Sequence, residues 1–190
     1  KVLYDMQGKV HQDMYTANHK IASSFFRIAV MQEKSYLLSN GVTFQKAPTK
    51  DKLGNKFDIM VSQAAEYALI GGVSFGFWNL DHVEVFEVTK FVPLYDEENG
   101  ALMAGIRFWQ IADNKPLHGT LYEPDGYTDY AQSRGGLMKI RQAKRAYILH
   151  VTGNDLDNAR IYKGENYPTF PIVPLKNNQL CKSELCGKRN

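Results

Sequence analysis

The chain has 190 residues, of which 44% are hydrophobic and 12% aromatic, which supports a sizeable folded core and argues against disorder. The net charge is only +3, and basic and acidic side chains are interspersed outside one short basic run, so the composition gives no sign of strong nucleic-acid binding. Neither a run of about 18 apolar residues nor a signal peptide is seen, so we expect a soluble protein made in the cytoplasm.

Two helices are predicted in the first part of the chain. Apolar residues recur at three- and four-residue steps from Thr16 to Leu38, where Ser39-Asn40-Gly41 provides a helix end. A short strand at 42–44 and a polar, lysine-rich loop at 47–55 should follow. The second helix should run from Phe57 to Leu69, with Asn55 as its N-cap and Gly71-Gly72 as its stop.

The pattern then changes to the two-residue period of strands. Turn residues separate the strands, as in Asn79-Leu80-Asp81-His82 and Glu97-Glu98-Asn99-Gly100. The predicted strands lie at 73–77, 83–88, 91–95, 102–111, 117–122, 127–130, 137–140 and 146–151. Helices followed by consecutive strands predict an α+β fold, with two N-terminal amphipathic helices packed on an antiparallel, meander-like sheet.

The last part of the chain has an unusual order of signals. The proline-rich segment 167–175 predicts an extended edge strand, because proline has no N–H to donate to a central sheet position. Asn177-Asn178 then ends the strand, and Ser183-Glu184-Leu185 has the features of a helix cap and first turn. Cys181 and Cys186 have a spacing that suits neither a Cys-x-x-Cys turn nor a complete zinc site, so we expect free thiols.

This ending resembles the segment before the stem helix in siphophage-type portal proteins of tailed bacteriophages. Five further segments are similar to the same family, in the family's order. Ser39 stands where the family usually has glycine, although Asn40-Gly41 still supplies residues that tolerate a tight turn. The similar segments are 35–43, 57–75, 91–96, 103–109 and 121–128.

The resemblance implies that residues 1–190 form a single portal wing-like domain, with 176–190 leading into a truncated stem helix. The stem, clip and crown would lie outside this fragment. In that case the parent protein is a structural virion protein, a ring of usually twelve subunits at one capsid vertex through which DNA is packaged and ejected. Its implied partners are other portal subunits, terminase, capsid or scaffold proteins, head-tail connector proteins and the genomic DNA, with no membrane.

The residues themselves give no catalytic, metal or cofactor site. Histidines 11, 19, 82, 118 and 150 include no pair at the spacing that places two ligands on one helical face. The acids Asp81, Glu84, Glu87 and Asp96 suggest a nuclease, but Glu84 and Glu87 should point to opposite faces of a strand. A prophage nucleic-acid-processing enzyme and an α+β ligand-binding module remain the alternatives to a structural protein.

One charge cluster is a candidate contact site. Lys139, Arg141, Lys144 and Arg145 lie within seven residues and could touch DNA phosphates or a neighbouring subunit. In a regular strand Lys139, Arg141 and Arg145 would share one face and Lys144 the other. We therefore expect weak, non-specific DNA contact at most.

Overall fold

Two helices and two antiparallel sheets, arranged in layers, form most of the described chain. The computed structural model describes residues 2–4, 7–12, 25–45, 48–152 and 161–186. Its helices are α1 (Phe25–Leu38), α2 (Pro48–Asp51) and α3 (Phe57–Gly71). Its strands are β1 (Val2–Tyr4), β2 (Val10–Gln12), β3 (Val73–Asn79), β4 (His82–Glu87), β5 (Phe91–Tyr95), β6 (Leu102–Trp109), β7 (His118–Glu123), β8 (Gly126–Gln132), β9 (Met138–Arg145), β10 (Ile148–Thr152), β11 (Ile161–Glu165) and β12 (Ile172–Lys176). The predicted α+β class is confirmed.

The first helix ends at Leu38 as predicted, and the part of the prediction before Phe25 lies outside the described residues. The strand predicted at 42–44 is wrong. This segment is a loop held to α3, because the Val42 N–H donates to Asp58 Oδ1 at 3.1 Å. The lysine-rich loop that follows contains α2, and the Lys50 ammonium binds Asp58 Oδ2 at 2.6 Å.

The second helix begins at Phe57 as predicted and extends to Gly71, two residues past the predicted end, but its N-cap residue differs from the prediction. Lys56 occupies the N-cap position without a capping side-chain hydrogen bond, so the prediction of Asn55 as the cap is wrong. At the other end Gly72 adopts a left-handed φ of 88° and donates its N–H to Ala68 O at 2.7 Å. This conformation, which glycine takes without strain, confirms the predicted stop.

The strands divide into two main sheets and two separate hairpins. The small sheet has the order β12-β3-β4, and the large sheet has the order β5-β6-β7-β8-β9. The large sheet is the predicted meander, since consecutive strands pair antiparallel throughout. β12 lies at an edge of the small sheet, as its prolines predicted. The hairpins β1-β2 and β10-β11 form further pairs.

The core lies between the two sheets and is mainly aromatic. Phe75 of the small sheet meets Phe91 of the large sheet, with ring centroids 4.5 Å apart. Phe77 contacts Tyr122 at 5.1 Å, and Phe86 contacts Phe91 at 5.7 Å. Alternate residues of each strand point inward, so this packing fixes which side of each sheet is internal.

The helices cover the other side of the small sheet rather than the meander. The buried Ser74 hydroxyl donates to Ala64 O of α3 at 2.7 Å, which places α3 against β3. Ala64, Ala68 and Leu69 are the buried residues of α3. α1 packs on α3, where Lys34 Nζ lies 2.6 Å from Glu66 Oε2.

The chain after β12 returns to the C-terminal end of α3. The Asn177 N–H donates to Gly72 O at 3.0 Å, and the Glu184 N–H donates to Leu69 O at 3.1 Å. The Leu185 N–H donates to Ser183 Oγ at 3.2 Å, which is the bond expected of a helix cap. The described residues show a turn here, and any helix after it lies outside them.

Candidate functional site

A polar cavity of about 200 Å³ opens between the two sheets. At one side, Arg107 of β6 binds Glu84 Oε2 of β4 at 3.2 Å, and Asn79 Nδ2 donates to Glu84 Oε1 at 2.8 Å. The Arg107 guanidinium also lies over the Phe86 ring, 4.4 Å from its centroid. These contacts join the small sheet to the large sheet, and the positive charge of Arg107 is paired with Glu84 of the same chain.

The opposite side of the cavity is lined by residues of β7 and β8, and Arg145 of β9 lies next to them. Asp129 accepts a hydrogen bond from Thr120 Oγ1 at 2.8 Å and from Arg145 at 2.9 Å. The Arg145 guanidinium lies 4.9 Å from the centroid of the Tyr127 ring. On each side of the cavity, an acidic side chain is therefore paired with an arginine.

Two tyrosines complete the cavity, and neither has the properties of a general base. Burial raises the pKa of Tyr122 to about 12, and burial also raises the pKa of Tyr147. The Tyr147 hydroxyl donates to Glu123 O at 2.7 Å. Among the described residues, no buried side-chain nitrogen or oxygen lacks a hydrogen-bond partner. The cavity is smaller than the roughly 300–1,000 Å³ typical of small-molecule sites, so its geometry is that of an internal polar network.

The basic run lies on β9, the outer strand of the large sheet, where every residue is exposed. Lys144 Nζ lies 3.0 Å from Glu123 and 2.5 Å from Asp125. The hydrogen bond between Lys144 and Asp125 raises the pKa of Lys144 and lowers the pKa of Asp125. Arg145 is held by Asp129, so two of the four predicted contact residues already bind acids of the same sheet.

The other two basic residues are more available. In the part of the chain that the structure describes, no ion pair includes Lys139 or Arg141. The pairing of β8 with β9 shifts twice, between Tyr127 and Asp129 and again between Asp129 and Tyr130. These irregularities break the regular alternation on which the predicted grouping of the side chains depended.

The acids of the nuclease alternative are dispersed among separate partners. Glu84 pairs in register with Phe77 and Glu87 with Ser74, which confirms that they lie on opposite faces of β4. Glu87 binds Lys90 at 2.6 Å. Within the described ranges, no group of three or more His, Cys, Asp or Glu residues could hold a metal ion.

The histidines and cysteines add no such cluster. His150 is exposed and lies 2.8 Å from Glu165. His118 stacks on Trp109, with ring centroids 4.2 Å apart. Both cysteines are free, as predicted, and Cys181 has a φ of 49° in the loop beside Gly72.

Comparison with protein families decides between the alternatives. The model of the family described as phage portal protein, SPP1 Gp6-like, matches residues 1–186. The chain belongs to the phage portal protein family. A portal-family chain is a structural phage protein, and the family is not an enzyme family. A comparison with curated proteins finds no match.

The described geometry can be read in the light of portal-family membership. Two ion pairs link strands to one another: Glu84–Arg107 joins the two sheets, and Asp129–Arg145 joins β8 to β9. In the described part of this portal-family chain, no helix is long and apolar enough to cross a membrane. The sequence alone gave no signal for the Glu84–Arg107 contact, because its partners lie 23 residues apart on strands of different sheets.

Proposed function

We propose that this chain is the wing domain of a longer portal subunit, and that the subunit forms a ring at one vertex of the phage capsid. The observation that carries the proposal is the match of the portal family model to residues 1–186. The ring would surround the channel through which DNA is packaged and ejected. Twelve subunits is the expected number. Terminase, capsid or scaffold proteins and head-tail connector proteins would bind other parts of the subunit.

The proposed domain comprises residues 1–190, with 176–190 as the lead-in to a stem helix. The anchoring of residues 177–186 to the C-terminal end of α3 supports this arrangement. Asn178 organises the loop, since its side-chain oxygen accepts from the N–H groups of Leu180 and Lys182 at 3.1 and 3.0 Å. A helix beginning at Ser183 would therefore start from a fixed position beside α3.

In this proposal the domain has a structural role and uses no catalytic, metal or cofactor site. Lys139, Arg141, Lys144 and Arg145 would contact a neighbouring subunit or DNA phosphates. The ion pairs of Lys144 and Arg145 with acids of the large sheet leave Lys139 and Arg141 as the more available cations. Contact with DNA would then be weak and independent of sequence.

Electron microscopy of the longer gene product tests the proposal. We expect a ring with a central channel, in which the two-sheet fold of residues 25–176 occupies the outer belt. Labelling the exposed Cys186 with a small gold cluster would mark each subunit where the belt meets the stem. A monomeric particle, or a ring in which this fold lines the channel, would refute the assignment.

A further inference from the structure

The outward face of the large sheet has the composition of a buried surface. Its inward residues, such as Phe91 and Tyr122, contact the small sheet, so residues of the opposite alternation point away from the core. Antiparallel sheets with one solvated face usually carry polar residues on that face. Here most outward residues on β5 to β9 are apolar or neutral, namely Val92, Leu94, Ile106, Phe108, Leu121, Tyr130, Met138 and Ile140.

Several of these side chains are open to solvent at the ends of the face. Val92 is 48% exposed and Ile140 is 64% exposed. Charged residues of the same orientation lie at the margin, where Lys144 pairs with Glu123. The centre of the face is thus a continuous apolar surface across the large sheet.

Helix α1 has a second apolar face that points away from the protein. Val30 is its buried residue, and Lys34 binds Glu66 of α3 on the packed side. At 100° per residue, the charged residues of α1 lie within about 60° of Val30. Four apolar residues that are about half exposed or more lie at least about 100° from Val30, namely Phe25, Ile28, Met31 and Tyr36. The apolar surface of α1 therefore extends beyond the side that packs on α3.

These two apolar faces lie at opposite ends of the layered structure. Around α3, Glu66 lies about 160° from Ala64 and Ala68. Ala64 faces the small sheet, and Glu66 binds α1, so α1 lies on the far side of α3. The layers run in the order α1, α3, small sheet, large sheet. The outward face of α1 and the outward face of the large sheet are its two ends.

We propose that a second copy of this chain covers each end, with α1 of one copy packed on the large sheet of the next. The dimensions match, because a helix of 14 residues is about 21 Å long and the strands β5 to β9 span about 19 Å. Each face exposes roughly 500 Å² of apolar area, which corresponds to a small specific interface. A contact between two different surfaces repeats from one subunit to the next, and it closes as a ring when the rotation between neighbours divides a full turn evenly. The inference rests on the proposed ring function and names the surfaces that form it.

Self-association of the 190-residue chain provides the test. Sedimentation velocity from about 10 µM to about 1 mM should show a mass that increases in the upper part of the range, since a small interface gives weak affinity. Met31→Lys on α1 and Ile140→Lys on the large sheet should each weaken association by about 10-fold or more. Leu37→Lys and Leu149→Lys are matched controls, because these leucines are 60% and 58% exposed but lie outside the two faces.

Mixing the two interface variants identifies the geometry. Met31→Lys retains its sheet face and Ile140→Lys retains its α1 face, so the mixture should form one-to-one dimers and nothing larger. Circular dichroism first establishes that each variant is folded. The inference is overturned if the wild-type chain stays monomeric at about 1 mM, if the controls weaken association equally, or if the mixture does not dimerise. None of these results depends on whether the longer protein forms rings, which microscopy decides separately.

Discussion

Gly105 should be the position where the smallest added group has the largest effect on the core. It lies in β6, and a Cβ atom there would overlap the ring of Phe91. Phe91 is 1% exposed and is held between Phe75 and Phe86, at centroid distances of 4.5 and 5.7 Å. The ring cannot move aside without disturbing the contact between the two sheets.

We expect Gly105→Ala to destabilise the fold by a net amount of about 1–2 kcal/mol. Overfilling a packed core costs about 1–3 kcal/mol. The lower backbone entropy of unfolded alanine offsets about 0.4–1 kcal/mol of that cost. With a urea m-value of about 1–3 kcal/mol/M, the midpoint of unfolding should fall by roughly 0.3–2 M.

Urea titration followed by circular dichroism measures the effect. Gly119→Ala is the matched control, because Gly119 is also a buried strand glycine but its Cβ would meet the flexible end of Met138 at 3.3 Å. We expect that variant to stay within about 0.5 kcal/mol of the wild type. Phe91→Leu should partly rescue Gly105→Ala, giving a coupling of about 1 kcal/mol. If Gly105→Ala unfolds at the wild-type midpoint, the proposed packing of Phe91 is wrong.

Four further measurements test other parts of the molecule. Met60 is half-buried, so Met60→Ala should lower the free energy of unfolding by about 1–2 kcal/mol, which is less than at a fully buried site. Gln63→Ala should lower it by less than about 1 kcal/mol. Equal losses for the two variants would contradict the assigned packing face of α3. Because burial raises the pKa of Tyr122 to about 12, its ionisation favours the unfolded state. The stability that this group contributes should be intact below about pH 10 and fall by about 1.4 kcal/mol per pH unit from there to about pH 12, with a smaller fall in Tyr122→Phe. At low micromolar concentration the chain should sediment as a monomer, and a stable dodecamer there would refute this expectation. For duplex DNA binding, the slope of log K against log salt should be no steeper than about −1.8, because Lys139 and Arg141 are the basic residues of β9 outside ion pairs in the described structure. Nanomolar binding at physiological salt would contradict this prediction.

The basic segment on β9 could be predicted from the sequence, but its ion pairs could not. The spacing of Lys139 to Arg145 identified a basic segment, and the structure places it on an exposed edge strand. The sequence could not show that Glu123 and Asp125 would neutralise Lys144, since those acids are brought to β9 by the pairing of other strands. Ion pairs between strands depend on register, and bulges change that register locally.

The elements that could be predicted from the sequence are those that depend on residues close together in the chain. The period of α3 and the stop at Gly72 could be predicted because helix ends depend on neighbouring backbone groups. The edge position of β12 followed from its prolines, which remove hydrogen-bond donors wherever the strand lies. The order of the large sheet followed from short turns between consecutive strands.

The tertiary structure decided how these elements combine. The strands divide into two sheets, and α3 packs on the small one. Both outcomes depend on aromatic packing between residues far apart in sequence, such as Phe75 and Tyr122 in the core cluster. The hairpin β1-β2 and the strand β11 also had no counterpart in the prediction. Above all, a single sequence shows that a residue is apolar but not whether its own fold covers it. The exposed apolar faces of α1 and the large sheet appear only once burial is known, because burial depends on the complete three-dimensional packing.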